Sequence, residues 1–165
     1  MPTGIFIPAD DSVELTLREF SSLPDYQTAV GGFIEAVDLV QPRFALSTLI
    51  MNEEGKLDGL PINKRATLLL WIHQPALRFR DEIVGDAILV GTANIRGGYS
   101  DVPPRLRSLL FDLTEFTIET VSETSDSTKR VQHLGSFSSW VNAYVVALDV
   151  ATAMPSETQV CVVPE

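Results

Sequence analysis

Short apolar runs, separated by proline, glycine and acidic turns, recur along this chain. Ile5-Phe6-Ile7 and Val13 to Leu17 are the first two. The second alternates Val13, Leu15 and Leu17 against Glu14, Thr16 and Arg18, the period of a half-buried strand. The turn residues Pro8 to Ser12 between them predict a hairpin. Behind Pro24, Asp25 to Val30 reads as a short helix stopped by Gly31-Gly32, since glycine admits the left-handed backbone of a helix exit. Phe33 to Val40 follows as a strand with Phe33, Glu35, Val37 and Leu39 on one face. Glu35 there either turns inward to a cation such as Lys64 or Arg65, or stands in water at a sheet edge.

Arg43 to Met51 predicts the next strand. Lys64 to Gln74 predicts a helix with Asn63 as N-cap, Pro75 as its end, and Ala66, Leu69, Leu70 and His73 on one face. Gly85-Asp86, between Ile83-Val84 and Ala87 to Val90, signals a turn or bulge. Residues 94–104 are loop by composition, and Arg105 to Phe111 suits one or two helical turns entered from Pro103-Pro104. Phe116 to Val121 alternates as a strand, and residues 123–130 read as an exposed hairpin end or loop. The longest helix runs from about Ser139 to Ala153, capped by Ser136 or Ser138. Its apolar face is Trp140, Val141, Tyr144, Val145, Leu148 and Ala151 or Thr152. Pro155 closes it and Gln159 to Val163 forms a last strand. The expected fold is α+β: a single domain over residues 1–165, with one mostly antiparallel sheet backed by two principal helices.

Composition narrows the function classes. No apolar run reaches the roughly 18 residues of a membrane span, and the N-terminus lacks the cationic start and apolar stretch of a signal peptide. The single cysteine, Cys161, lies in an apolar run and reads as a small buried hydrophobe in a reducing compartment. The formal net charge is −10, with acids concentrated in residues 1–40 and 112–126. Residues 56–80 reverse the sign through Lys56, Lys64, Arg65, Arg78 and Arg80. A broad nucleic-acid surface is disfavoured, because phosphate neutralisation requires a basic face.

Three segments carry a family likeness: Val30-Gly31-Gly32-Phe33-Ile34-Glu35-Ala36-Val37, the Asn52 to Thr67 connection, and Asp81 to Ala87. Over residues 25–91 the chain resembles an uncharacterised domain family of phages and conjugative elements, especially of actinobacteria, domain of unknown function 3846. The resemblance implies an accessory protein of a mobile element, made in the cytoplasm of a bacterial host, with residues 92–165 as an extension packed on the family-like core. It implies no role for any residue.

The candidate ligand site is the strand-to-helix connection. Gly55 and Gly59 would let backbone amides approach an anion, and Asn63 opens a helix whose N-terminus carries partial positive charge. Lys56, Lys64 and Arg65 would add charge-assisted bonds to phosphate, and Thr67 a hydroxyl. Tyr99, in a glycine-flanked loop, would cover a base; Trp71, Phe79, Trp140 and Tyr144 are further aromatic candidates, of which Trp71 and Trp140 read rather as core. The spacing is not that of a phosphate-binding P-loop. With two histidines and one cysteine, neither a zinc set nor a nucleophile and base pair is expected. Asp81, Glu82 and Asp86 read as partners of Arg78 and Arg80.

The expected function is therefore non-catalytic, without cofactor or metal. In its most concrete form it is a counter-defence sponge for a nucleotide-like anion. One alternative is an inhibitor that binds a host protein through an acidic, DNA-mimicking face built from residues 1–40 or 112–126. A third is a virion component. A homo-oligomer is compatible with each.

Overall fold

The computed structural model describes residues 1–165. Eight strands and four helices follow in the order β1 Thr3–Ile7, β2 Thr16–Glu19, α1 Leu23–Val30, β3 Ile34–Leu39, β4 Ser47–Asn52, α2 Lys64–His73, β5 Ala87–Val90, α3 Pro104–Phe111, β6 Phe116–Glu123, β7 Lys129–Phe137, α4 Trp140–Ala153 and β8 Gln159–Pro164. The fold is α+β, but the strands make two sheets where one was expected. A five-stranded sheet runs β2-β1-β5-β4-β3 and a three-stranded sheet runs β7-β6-β8. All pairings are antiparallel.

The centre of the larger sheet is apolar on both faces. Ile5 pairs with Leu89, which also pairs with Leu49; Phe6 pairs with Ile88, which also pairs with Ile50. Successive side chains alternate across a pleated strand, so Ile5, Ile7, Leu49, Met51, Ala87 and Leu89 enter one core. Phe6, Ile50, Ile88 and Val90 enter another. The first core is the larger. It takes Leu69 and Leu70 of α2, Leu106 and Leu109 of α3, Tyr144 and Ala147 of α4, and Phe116, Ile118, Val160 and Val162 of the smaller sheet. Residues on both sides of position 91 thus share one apolar interior. The second core is covered by Tyr26 and Val30 of α1 and by Phe20.

Several local expectations hold. Gly31 ends α1 with a φ of 80°, and Asn63 caps α2, its side-chain oxygen accepting from the Ala66 amide at 3.0 Å. Ala66, Leu69, Leu70 and His73 are all buried, as is Cys161. Glu35 is exposed on the edge strand β3 rather than paired with a cation.

Others are corrected. The second strand begins at Thr16 rather than Val13, because residues 8–13 are held as a turn. There Asp86 accepts from the Ala9 amide at 2.9 Å and Arg65 donates to the Pro8 and Asp10 carbonyls. Residues 43–45 form a 3₁₀ turn before β4. β7 was not anticipated. It is an edge strand in which only Leu134 and Phe137 are half-buried, so its sequence lacks the apolar alternation of a covered strand. Because β7 continues to Phe137, the α4 cap is Ser139 and not Ser136 or Ser138. The inward face of α4 centres on Ala143, Tyr144 and Ala147, which leaves Val145 exposed.

Candidate functional site

The expected ligand residues divide into those that hold the fold and those that face a hollow. Gly55 is buried; a β-carbon there would stand 2.9 Å from Val84 Cγ2, so its amide packs against the chain's own interior. Gly59 sits in an exposed turn with a φ of 68° and open space around it. Asn63 is fully buried, and besides capping α2 it donates to the Ile7 and Gly85 carbonyls at 2.8 and 2.9 Å. Thr67 Oγ1 accepts from the Ile83 amide at 3.0 Å. Lys56 is paired with Asp81 and does not line the hollow that Lys64 and Arg65 share. Arg78 and Arg80 do not pair with the neighbouring acids: Arg78 Nε donates to the Trp71 carbonyl, and Asp86 serves Ala9.

What remains is a groove between α2 and α4 of about 510 Å³, lined by Lys64, Arg65, Thr67, Leu68, Trp71, Trp140, Val141 and Val145, with Asp11, Ile62 and Glu82. The rotation of α4 places Val141 and Val145 here rather than in the core. Trp71 and Trp140 are half-buried and wall the groove, so neither belongs fully to the interior. The Trp71 ring is fixed by its Nε1 donating to the Asp81 carbonyl at 2.6 Å. Phe79 leans on it, with ring centroids 4.8 Å apart.

Phe79 has a φ of 59° although it is not glycine. A bulky side chain in that region is strained by about 1–2 kcal/mol, and such strain concentrates where surfaces are used. The residue is 58% exposed.

Arg65 is the unusual member. Its guanidinium is buried, with Nη2 donating to the Pro8 and Asp10 carbonyls at 2.8 and 3.0 Å. Its Nε has no hydrogen-bond partner; the nearest anionic atom, Asp11 Oδ1, is 3.8 Å away. Lys64 stands exposed beside it. The groove thus combines two cations, two acids (Asp11 and Glu82) and two indole walls, with one arginine donor that makes no hydrogen bond.

A family model described as Domain of unknown function (DUF3846) matches residues 3–115. The chain belongs to that family. No curated protein and no solved structure matches the DUF3846 chain.

The family match extends beyond the 25–91 stretch on both sides and ends before β6. In the DUF3846 chain Tyr99 is not near Lys64. It packs edge-on against Tyr26 at 5.6 Å, beside the smaller core and across the five-stranded sheet from α2. It lines a separate hollow, so the expected base cover and the cations are not brought together. The acidic 112–126 segment is also interrupted: β7 sets Lys129 opposite Glu123 and His133 opposite Glu119, with His133 Nε2 3.1 Å from the Glu119 carboxylate. No group of three or more His, Cys, Asp or Glu side chains is placed to hold a metal ion. No helix is long and apolar enough to cross a membrane.

Sequence reasoning named the cations, but it assigned Trp71 and Trp140 to the core and passed over Phe79 except as one aromatic among several. The signal that could have found the groove is the width of the α4 apolar arc. Val141 and Val145 lie a turn apart and outside the 140-144-147-151 stripe, more apolar surface than one packed face uses.

Proposed function

We propose that this protein is a non-catalytic binding protein that sequesters a small anionic ligand with a flat ring system in the α2–α4 groove. A nucleotide-like molecule is the class that fits. Lys64 and the Arg65 Nε would meet its phosphate, and Trp71 and Trp140 would hold its ring; indole–base stacking is worth about 1–3 kcal/mol per base. The observation that carries the reading is the buried Arg65 Nε–H without an acceptor on the wall of that groove. A buried donor left unpaired costs about 1–3 kcal/mol, which a bound anion would return. A role as a mobile-element sponge that withholds a signalling nucleotide from a host effector follows from this chemistry, because a sponge requires affinity and no transition-state complementarity.

The test is melting temperature across a panel of cyclic dinucleotides and ADP-ribose-type nucleotides. A ligand at one hundred times its Kd stabilises by about 2.7 kcal/mol, or roughly 5–10 °C for a chain of this length. Lys64→Glu, at an exposed position, should abolish the rise without lowering the melting point of the free protein. A panel that leaves the melting point unmoved ends this reading.

A further inference from the structure

A second hollow lies on the opposite side of the five-stranded sheet. It has a volume of about 680 Å³ between α1 and the 94–101 segment, walled by Phe20, Tyr26, Tyr99, Asn94 and Asp101. We propose that this hollow binds a small organic ammonium ion, held by the Asp101 carboxylate, the Tyr26 hydroxyl and the Tyr99 ring. This proposal does not depend on the reading of the α2–α4 groove.

Three observations carry it. First, the Tyr26 hydroxyl is buried and makes no hydrogen bond, while only 6% of the residue is exposed. A phenol both donates and accepts, so it is an unanswered polar group on the wall of a ligand-sized space. Burial, then the Tyr99 and Asp25 charges, push its pKa up to about 12, so it stays neutral and offers its oxygen to a cationic donor.

Second, the hollow carries a fixed carboxylate. Among its lining side chains Asp101 is the one acid and there is no Lys, Arg or His, although Met1 brings its α-ammonium to the same wall. Asp101 Oδ1 accepts from the Thr3 amide at 2.7 Å, which fixes the carboxylate and leaves Oδ2 for a ligand. Burial raises the Tyr99 pKa, and the Asp38 carboxylate adds to it, so the phenol stays neutral beside the Asp101 carboxylate. The free Asp101 Oδ2 is an acceptor for an ammonium donor.

Third, the walls are aromatic. Phe20 and Tyr26 stack with centroids 4.7 Å apart, and Tyr99 meets Tyr26 edge-on. Tyr99 is half-exposed and presents ring surface to the space. Cations over such rings gain about 0.5–2 kcal/mol, more as water is excluded.

The experiment is calorimetric titration of the full chain at 150 mM salt with two probes, spermidine and choline. Spermidine can donate hydrogen bonds through its ammonium groups, whereas choline offers a quaternary charge. Saturable binding of spermidine is expected, weakened about tenfold by Asp101→Asn and by a similar factor by Tyr26→Phe, as loss of a charge-assisted bond requires. Asp101→Asn keeps an oxygen for Thr3 and should melt like the native protein. Choline binding that is reduced by Asp101→Asn but unmoved by Tyr26→Phe would support the same site through its rings and charge. Glu123→Gln, a remote exposed acid, controls for general attraction to a chain of net charge −10. Saturation-transfer NMR on the unaltered protein gives a readout free of variants, in which aliphatic protons of the probe receive magnetisation from the aromatic rings. The proposal is overturned if neither probe binds below millimolar concentration. It is equally overturned if Glu123→Gln weakens binding as much as Asp101→Asn.

Discussion

Lowering pH should weaken this fold through one side chain, His73, well before the carboxylates protonate. His73 is fully buried where α2 meets α4. Its Nδ1 is 2.7 Å from the Gln41 carbonyl and its Nε2 is 2.6 Å from the Tyr144 hydroxyl. A carbonyl can only accept, so Nδ1 carries the proton and Nε2 accepts from Tyr144. The ring is therefore satisfied as a neutral group. Burial pushes its pKa down to about 4, against a smaller upward pull from the Gln41 carbonyl.

The folded value lies below the unfolded one, so the unfolded chain takes up the proton first as pH falls. The stabilisation is complete above pH 6.5, shrinks between 6.5 and about 4, and is spent below that. The gap from 6.5 to about 4, at 1.36 kcal/mol per pH unit, corresponds to about 3 kcal/mol in total. At pH 4.5 roughly 2.5 kcal/mol of it should be gone, and at pH 6.5 only about 0.4 kcal/mol. Asp10 and Asp25, whose pKa values are lowered by hydrogen bonds from serines, lose their contribution further down. The Tyr144 hydroxyl and the Cys161 thiol, both pushed up chiefly by burial, are silent in this window. Urea unfolding at constant ionic strength from pH 7.5 to 4.5, compared between the native chain and His73→Gln, isolates the term. The native chain should lose about 2.5 kcal/mol more than the variant. Parallel pH profiles would refute the reasoning.

Two further outcomes test the fold around the site. Asn63→Ala removes the α2 cap and leaves the buried Ile7 and Gly85 carbonyls unpaired, so urea unfolding should show a loss of about 2–4 kcal/mol. Asn63→Asp restores the cap acceptor without the donors and should remain clearly destabilised; native stability in that variant would contradict the bonding. Gly31→Ala and Gly91→Ala should differ in thermal melts. Gly31 has a φ of 80° with open space around it, a strain of about 1–2 kcal/mol. At Gly91 a β-carbon would stand 2.3 Å from the Asp101 carbonyl oxygen, which forces backbone apart, so the larger loss belongs there. Equal losses would contradict these geometries.

The elements that could be read from the sequence are those whose pattern and punctuation agree. The α2 segment has a capping Asn63, four inward residues at helical spacing and a closing proline, and each signal points the same way. The elements that could not be read are those whose environment is set by distant chain. β7 pairs with β6 only along one edge and buries almost nothing, so no alternation marks it. The turn before β2 is fixed by Arg65 and Asp86, more than fifty residues away, which no local window contains. The same effect hid the chemistry of the candidate site. Asn63, Arg65 and Thr67 are polar residues in a glycine-bearing connection, which resembles ligand chemistry, yet most of their donors and acceptors answer the chain's own backbone.

The two-sided core of the larger sheet explains why the protein carries a hollow on each face of that sheet. β1, β4 and β5 are apolar on both faces, so each face needs its own cover. One face takes α2 and α4, whose apolar arcs exceed what the core absorbs, and the surplus forms the indole-walled groove beside Lys64 and Arg65. The other face takes only the eight-residue α1, which is too short to cover β1, β5 and β4 alone. The 92–102 segment completes the cover through Tyr99, and the imperfect join between helix and loop is the hollow beside Asp101. Both cavities therefore follow from a shortage or an excess of helix over one sheet. The sheet between them separates Lys64 and Arg65 from Asp101, so a ligand in one hollow need not compete with a ligand in the other.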